Sequence, residues 1–498
     1  MAQTAVVIGG GIAGMCAAKV LTDHFDRVVL LERDKYPEQV GGRRGVPQSK
    51  MFHTLLERGR REIEDIYPGF HKLLDERKMP KVAFGFNCAL MTPQGWGRNL
   101  PVPVQRSLFC TRDMLEATIR DLFLAEPKIE LIEEAIVNNL VFEDTGVNKA
   151  VKGVTFKVRG DAELQTFLAD LVVDASGAGS KAHHWFRKAG INPPEEHVLD
   201  PLLTYGGQLY KMKEGARFPK DWWWTHGAFI QRVPPVDNVA AHLIRQEGDL
   251  WLLTLVAGDG NEIPKDADGV REFLGRMRSP LIHDMLPYFE AQDEVTTYRL
   301  PKNRWKYYES WDERPSGFIA MAAATCVFNP NMGQGMSNAA GDAGILKQCL
   351  AEVSSLEDLP ALYFKRQAKF QRNAYTLACY NDLKFDTVVG PRPLKTRLFN
   401  WYVDQINRAG AADSYIAREY GLVNLLIEPI SLAFKPWFMA RVLFARLFLR
   451  WKEEPGKSER VAPIPPEPAE IPTRWRSEVK NRFGVAFRFT QRTLGLAR

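Results

Sequence analysis

The 498-residue chain is poor in the groups that build disulfide frameworks and metal centres. Its six cysteines, Cys16, Cys88, Cys110, Cys326, Cys349 and Cys379, are scattered with no C-x-x-C spacing. That pattern argues for reduced thiols in a cytoplasmic chain and against a disulfide scaffold or a zinc site. Nine histidines form no H-E-x-x-H or comparable metal constellation. The N-terminus lacks a basic region followed by an unbroken apolar core, so no secretory leader is expected. Leu422 to Leu449 is very apolar, but Glu428, Pro429, Lys435, Pro436, Arg441 and Arg446 interrupt it. No unbroken apolar stretch reaches the roughly 20 residues that a spanning helix needs. Charge of one sign is also scarce. The net charge is +6, and residues 474–498, with seven Lys/Arg against one Glu, account for the excess. The remainder is close to neutral, which gives nucleic-acid binding no support. No internal repeat is found.

What is present is a composition ordinary for a soluble globular protein, 45% hydrophobic and 25% charged, at a length that accommodates two or more lobes. Its most informative stretch is Thr4 to Glu32. Ala5-Val6-Val7-Ile8 is a β-branched apolar run, Gly9-Gly10-Gly11-Ile12-Ala13-Gly14 supplies G-x-G-x-x-G, Ile12 to Asp23 has helical spacing, and Arg27 to Leu31 reads as a second strand. Each glycine has its own reason. Gly9 permits the sharp turn, Gly11 leaves room for a diphosphate, and Gly14 lets the helix approach the strand. Amides at Ile12 and Ala13 open a helix whose positive end suits phosphate. Glu32, followed by Arg33, stands where an acid can accept from ribose hydroxyls. An adenine dinucleotide is therefore expected. The position of the motif at residue 9 favours FAD as a resident group over NAD as a co-substrate.

Gly41-Gly42-Arg43-Arg44-Gly45-Val46-Pro47-Gln48 is a glycine- and proline-marked loop. Its arginines either reach the diphosphate, with Arg44 the candidate, or are solvated. Met51 to Leu56 is expected to open a helix running to about Tyr67. Gly45-Val46-Pro47-Gln48, His53 and Leu55-Leu56 resemble the FAD-dependent monooxygenases that include the polyether epoxidases, a branch of the p-hydroxybenzoate-hydroxylase-like superfamily. The resemblance runs over roughly residues 4–450. Cys110 to Glu116 resembles that family's arginine-bearing helix start, with Arg112 at the flavin. Val172 to Ser180 resembles its D-A-S/T-G-R-G-S turn, and Trp251 to Leu255, Arg278-Ser279-Pro280 and Tyr298-Arg299-Leu300-Pro301 also match. Phe328 to Met336 matches its second glycine loop. There Pro330, Gly333, Gly335 and Met336 are implied to lie beside the isoalloxazine, with a helix N-terminus facing the ring's anionic edge.

Two departures are visible. Ala323 stands where the family's G-D-A aspartate holds the ribityl chain, and Ala178 replaces the arginine of D-A-S-G-R-G-S. Losing one charge-assisted bond commonly costs about 1.5–3 kcal/mol, so weaker FAD binding or a compensating group is expected. Asp342 is placed too far along the following helix to compensate.

The expected fold class is α/β: a Rossmann-type FAD-binding domain (1–80, 105–185 and 300–350) interleaved with an antiparallel-sheet substrate domain (81–104 and 186–299). A helical region (351–453) follows, then a proline-rich linker and basic tail (454–498). Strand character is read at Phe84–Leu90, Leu203–Tyr210, Gly227–Arg232, Val239–Arg245 and Asp249–Val256. Trp222-Trp223-Trp224 and Phe229 either line an apolar pocket or pack a core. His53, Tyr205 and His226 are candidate substrate-positioning residues, although a residue of each kind is more often structural. Trp437 to Lys452 reads as a helix that either caps the substrate lobe or lies at a membrane surface. The basic tail, with Trp475, Phe483, Phe487 and Phe489, suits anionic membrane or a partner protein.

The resemblance implies a monooxygenase that uses O2, through a flavin C4a-hydroperoxide, to epoxidise or hydroxylate an apolar terpenoid, polyketide or polyene-like substrate. With no second strand-linked G-x-G-x-x-G, NAD(P)H binds transiently or a flavin reductase delivers electrons. A dehydrogenase, reductase, or non-redox isomerase or cyclase on the same fold stays open, as does a lipid-binding scaffold with a degenerate flavin site. A flavin halogenase is disfavoured, because W-x-W-x-I-P is missing.

Overall fold

A computed structural model describes residues 3–97, 107–144, 146, 149–300 and 302–449. The proline-rich linker and basic tail, together with Pro301, lie outside the described residues. The architecture is mixed α/β. Five strands form a parallel sheet in the order Phe318–Ala320, Leu171–Asp174, Thr4–Ile8, Arg27–Leu31, Ile129–Ile132. The three inner strands are apolar and almost wholly buried, as a sheet covered on both faces requires. The Ile12–Leu21 helix packs over it and exposes little but Lys19. The Gly335–Glu352 helix lies against that helix, and the Glu57–Ile66 helix lies against both. An antiparallel meander of Ala135–Asp144, Lys149–Val158 and Gln165–Leu168 flanks the unit.

The second sheet runs Phe289–Ala291, Thr204–Met212, Leu250–Ala257, Val239–Arg245, Gly227–Ile230, Ala89–Thr92, Gly95–Trp96, with Thr296–Arg299 also on Thr204–Met212. It is mixed, not purely antiparallel, because Gly227–Ile230 pairs in parallel with Ala89–Thr92. Both faces are buried. Ala228 and Ile230 join a core with Tyr210, Trp224, Trp251 and Phe273, while Phe229 between them faces a separate cluster with Phe109 and Ile244. The tryptophan run therefore packs a core: Trp222 stacks on Trp224 with 5.2 Å between ring centroids, beside Phe218.

Two segment boundaries differ from the sequence reading. The first helix after the arginine loop begins at Glu57, not Met51, because Leu55 pairs with Leu108 in an extended bridge. Phe84–Cys88 is likewise a bridged turn, and the strand starts at Ala89. Beyond Glu352 the described chain is helical: Leu359–Asp382, Leu394–Ala412, Ser414–Asn424 and Pro436–Phe448. The last of these shares no hydrophobic cluster with the second sheet. It packs through Phe438, Val442 and Ala445 on Ile406, Ala409 and Ile416 of its helical neighbours. Among the described residues no helix is long and apolar enough to cross a membrane.

Candidate active site

At the carboxyl ends of the parallel strands, beside the start of the Ala135–Asp144 strand, a cavity of about 410 Å³ opens to solvent. Gly9, Gly11, Ile12, Ala13, Glu32, Arg33, Arg112, Pro330, Gly333, Gly335 and Met336 line it, together with His53. The backbone accounts for the glycines at its floor. Gly9 has φ +99°, and a Cβ on Gly14 would lie 1.8 Å from the Gly9 carbonyl oxygen, so Gly14 serves helix–strand contact from behind the wall. A Cβ on Gly11 would meet nothing within 4 Å, because that residue faces the open cavity. Gly11 caps the Ile12–Leu21 helix with no side-chain hydrogen bond, which leaves the first-turn amides free for a ligand. Gln334 precedes the Gly335–Glu352 helix in the same way, and Gly335 is equally open.

An ion network braces this floor. Glu32 Oε2 accepts from the Gly10 amide at 2.5 Å and Oε1 from the Asp34 amide at 2.9 Å. Arg43 Nη1 lies 3.2 Å from Glu32, and Arg43 Nη2 lies 2.5 Å from Glu116. Tyr36 Oη donates to the Gly10 carbonyl at 2.7 Å. Glu32 is thus first a brace for the glycine turn, with lone-pair capacity left over toward the cavity. The arginine assignment is corrected: Arg44 is exposed and does not line the cavity, whereas the buried Arg43 does. Burial opposes the Arg43 charge, but Glu116 and Glu32 outweigh it and hold the guanidinium protonated.

Arg112 begins the Arg112–Leu124 helix, whose cap Thr111 accepts from the Met114 amide and is held in turn by Glu247. Arg112 Nη2 bonds Glu116 at 2.8 Å, while buried Nη1 has no hydrogen-bond partner among the described residues. His53 Nδ1 lies 2.8 Å from the Met51 carbonyl, which makes Nδ1 the protonated nitrogen and Nε2 an acceptor. Burial, reinforced by the Arg112 charge, pushes its imidazole down to about 4, so the ring is neutral at pH 7.

The other two positioning candidates lie elsewhere. Tyr205 is buried behind the second glycine loop and donates to Asn329 Oδ1 at 2.9 Å. Asn329 donates onward to Asp382 at 2.8 Å, and Asp382 also receives Asn303 at 2.9 Å and Arg232 at 3.0 Å. This network fixes the residue just before Pro330 and ties the loop to the Leu359–Asp382 helix. His226 sits beside Thr225 outside the cavity lining, its imidazole pushed down to about 4 by burial and Arg245. Phe52 does line the cavity, backed by Phe109 at 5.2 Å and Phe229 at 5.0 Å.

The two departures differ in kind. Ala178 is exposed and outside the lining, whereas Ala323 lines the cavity. The Asp342 expectation is corrected. It occupies the second turn of its helix, not the far end, and its Oδ2 accepts from the Ala322 amide at 2.7 Å, Gln367 at 2.7 Å and Gln371 at 2.6 Å. It supports the Ala322–Ala324 backbone from behind and does not line the cavity. Burial raises its carboxyl to about 7.

Residues 5–184 match the family of FAD dependent oxidoreductases. The chain is an FAD-dependent oxidoreductase. This oxidoreductase is 25% identical over 470 residues to Protein Rv3254 of Mycobacterium tuberculosis, covering 92% of this chain and 96% of that one. It is 23% identical over 381 residues to squalene monooxygenase of Mus musculus, covering 73% of this chain and 58% of that longer protein. Solved structures share the fold. The flavin-dependent brominase Bmp2 superposes with TM-score 0.61 at 14% identity, covering 89% of this chain and 97% of that one. The p-nitrophenol 4-monooxygenase PnpA of Pseudomonas putida gives 0.56 at 17%, covering 86% and 99%. The residues present fit FAD on this structure's own terms. Gly11, Gly177, Gly179 and Gly335 leave space a Cβ would enter, and Arg112 Nη1 is an orphaned donor at the wall.

Proposed function

We propose that this oxidoreductase is a monooxygenase that places one oxygen atom from O2 on an apolar terpenoid, polyketide or polyene-like substrate, as an epoxide or an alcohol. The observation carrying this reading is the continuity of the cavity, from the phosphate-type turn at Gly9–Ala13 to the aromatic wall at Phe52, with the Pro330–Gly335 loop between them. The name of the squalene monooxygenase relative supports it.

In this reading the Ile12 and Ala13 amides receive the diphosphate, Glu32 and Arg33 face the adenosine side, and Arg112 donates through Nη1. The amides opening the Gly335–Glu352 helix stabilise negative charge at the ring edge. Phe52 keeps that end dry, and neutral His53 offers an acceptor without adding a charge. FAD, when bound, supplies the redox chemistry and the reactivity toward O2. Electrons arrive from transiently bound NAD(P)H or from a flavin reductase.

Ala323 favours a second reading, in which an altered flavin site serves a dehydrogenase, reductase or isomerase. Product mass separates the two. The FAD-loaded enzyme is supplied with NAD(P)H or a reductase and a panel of terpenoid and polyene substrates under 18O2. A gain of one labelled oxygen supports the monooxygenase. Conversion with unchanged mass, or with loss or gain of hydrogen alone, overturns it.

A further inference from the structure

The C-terminal helices leave large apolar side chains in solvent in an ordered pattern. On the Pro436–Phe448 helix, Phe438, Val442 and Ala445 are buried, while Met439, Leu443 and Leu447 are 44%, 60% and 65% exposed. That spacing of i, i+4, i+8 makes one continuous stripe, and exposed Phe448 extends it. On the Leu394–Ala412 helix, Leu394, Leu398 and Trp401, at i, i+4, i+7, are 67%, 56% and 62% exposed.

The two stripes lie on helices that pack against each other. The helices pack antiparallel, since Arg441 pairs with Asp413 at 2.8 Å while Arg446 bonds Gln405 at 3.1 Å. Advancing along the later helix therefore moves back along the earlier one and brings Leu447 and Phe448 toward Trp401. Exposed Phe434 lies against Phe399 and Tyr402 of the earlier helix. Scattered exposed apolar residues are normal, but two adjoining stripes ending in aromatic rings form a patch that asks for a covering surface.

The charges around it indicate which surface. Residues 392–403 carry Arg392, Lys395 and Arg397, residues 430–449 carry Lys435, Arg441 and Arg446, and neither stretch holds an acid. Arg441 is spent on Asp413, and Arg392 donates to the Leu383, Phe385 and Val388 carbonyls. Lys395, Arg397 and Lys435 are exposed and form no ion pair among the described residues. The sequence beyond the patch adds the basic excess of residues 474–498. Leucine, phenylalanine and tryptophan framed by lysine and arginine are the chemistry of an interfacial helix on anionic lipid. We propose that the outer faces of the Leu394–Ala412 and Pro436–Phe448 helices dock the enzyme on an anionic phospholipid surface, lying in the interface without crossing it. The proposal goes beyond the oxygenation reading and stands apart from it.

The test is co-sedimentation of the full-length, FAD-loaded protein with phosphatidylcholine vesicles, with and without phosphatidylglycerol. Wild type should pellet with the anionic vesicles and release as salt rises. Leu443→Glu combined with Leu447→Glu should cut the bound fraction at least tenfold while flavin content stays the same, and Lys395→Glu with Arg397→Glu should weaken binding to anionic vesicles. Wild type left in the supernatant with every vesicle overturns the proposal. So does a Leu443/Leu447 variant that pellets like wild type, or binding that vanishes only when 454–498 is deleted, which would make the tail the anchor. A wild-type dimer that the same double variant dissociates also overturns it, because the face would then be a self-interface.

Discussion

Two glycines three residues apart, Gly11 and Gly14, give the sharpest separation between holding the fold and holding the cofactor. At Gly14 an added Cβ would sit 1.8 Å from the Gly9 carbonyl oxygen and 3.4 Å from Val7 Cγ1, so Gly14→Ala must push the first helix off the first strand. The obstacle is backbone, which cannot swing aside, and overpacking of this kind costs about 1–3 kcal/mol or more. At Gly11 the backbone is φ −77°, ψ −176°, open to any residue, and no protein atom lies within 4 Å of the new methyl. Weaker helix capping by alanine, about 1 kcal/mol, is offset by a similar gain from restricting the unfolded chain. Gly11→Ala should therefore leave the melting temperature without added FAD within a few degrees of wild type. Its methyl group instead occupies the space where the diphosphate meets the helix amides. Loss of one charge-assisted hydrogen bond there, about 1.5–3 kcal/mol, means FAD affinity lower by about tenfold to somewhat over a hundredfold. The assay is titration of FAD against the purified variants by flavin fluorescence, with thermal melts alongside. A Gly11→Ala protein that binds FAD as tightly as wild type would refute the placement of the diphosphate.

Ala323→Asp restores a carboxylate at the cavity wall and should tighten FAD by about tenfold; unchanged or weaker affinity in the same titration would mean that this segment does not face the ribityl chain. Asp382→Ala takes the carboxylate away from the buried Arg232 guanidinium and should cost about 3–5 kcal/mol in urea unfolding. Arg232→Met in the same chain should recover part of that loss, and strictly additive effects would count against the pairing. Asp342 is an acid held by burial at about 7 against an ordinary 3.8, so the native state keeps a proton the unfolded chain releases. Its contribution to stability is present at low pH and declines as pH rises from about 4 through 7. Asp342→Asn should flatten that part of the melting profile and gain on wild type toward pH 8. Parallel profiles would contradict the assignment.

The glycine turn was legible in the sequence because its backbone dictates residue type: only glycine suits Gly9 at φ +99° or fits beneath the Gly9 carbonyl at position 14. Strands such as Val239–Arg245 were legible because a sheet buried on both faces needs a mostly apolar run, interrupted here by His242 and ended by Arg245. What failed turned on contacts between distant segments. Arg43 and Arg44 are neighbours in a loop without periodicity, and it is Glu32 together with Glu116 on a later helix that selects the first. The place of Asp342 along its helix does not show in sequence that its carboxylate turns back to the Ala322 amide. Tyr205 carried no sign that Asn329, far along the chain, would claim its hydroxyl. The helix beginning at Glu57 was read too early because the Leu55–Leu108 bridge is invisible locally. The tryptophan run gave no hint of which sheet face it would cover, since both faces are apolar.

The most direct test of the central claim is the flavin content of the purified full-length protein, read as the visible absorption spectrum and the FAD released on denaturation after incubation with excess cofactor. A yellow protein carrying one FAD per chain, with affinity that Gly11→Ala lowers, is the predicted result. A folded protein that stays colourless and retains no FAD at saturating supply would contradict the account.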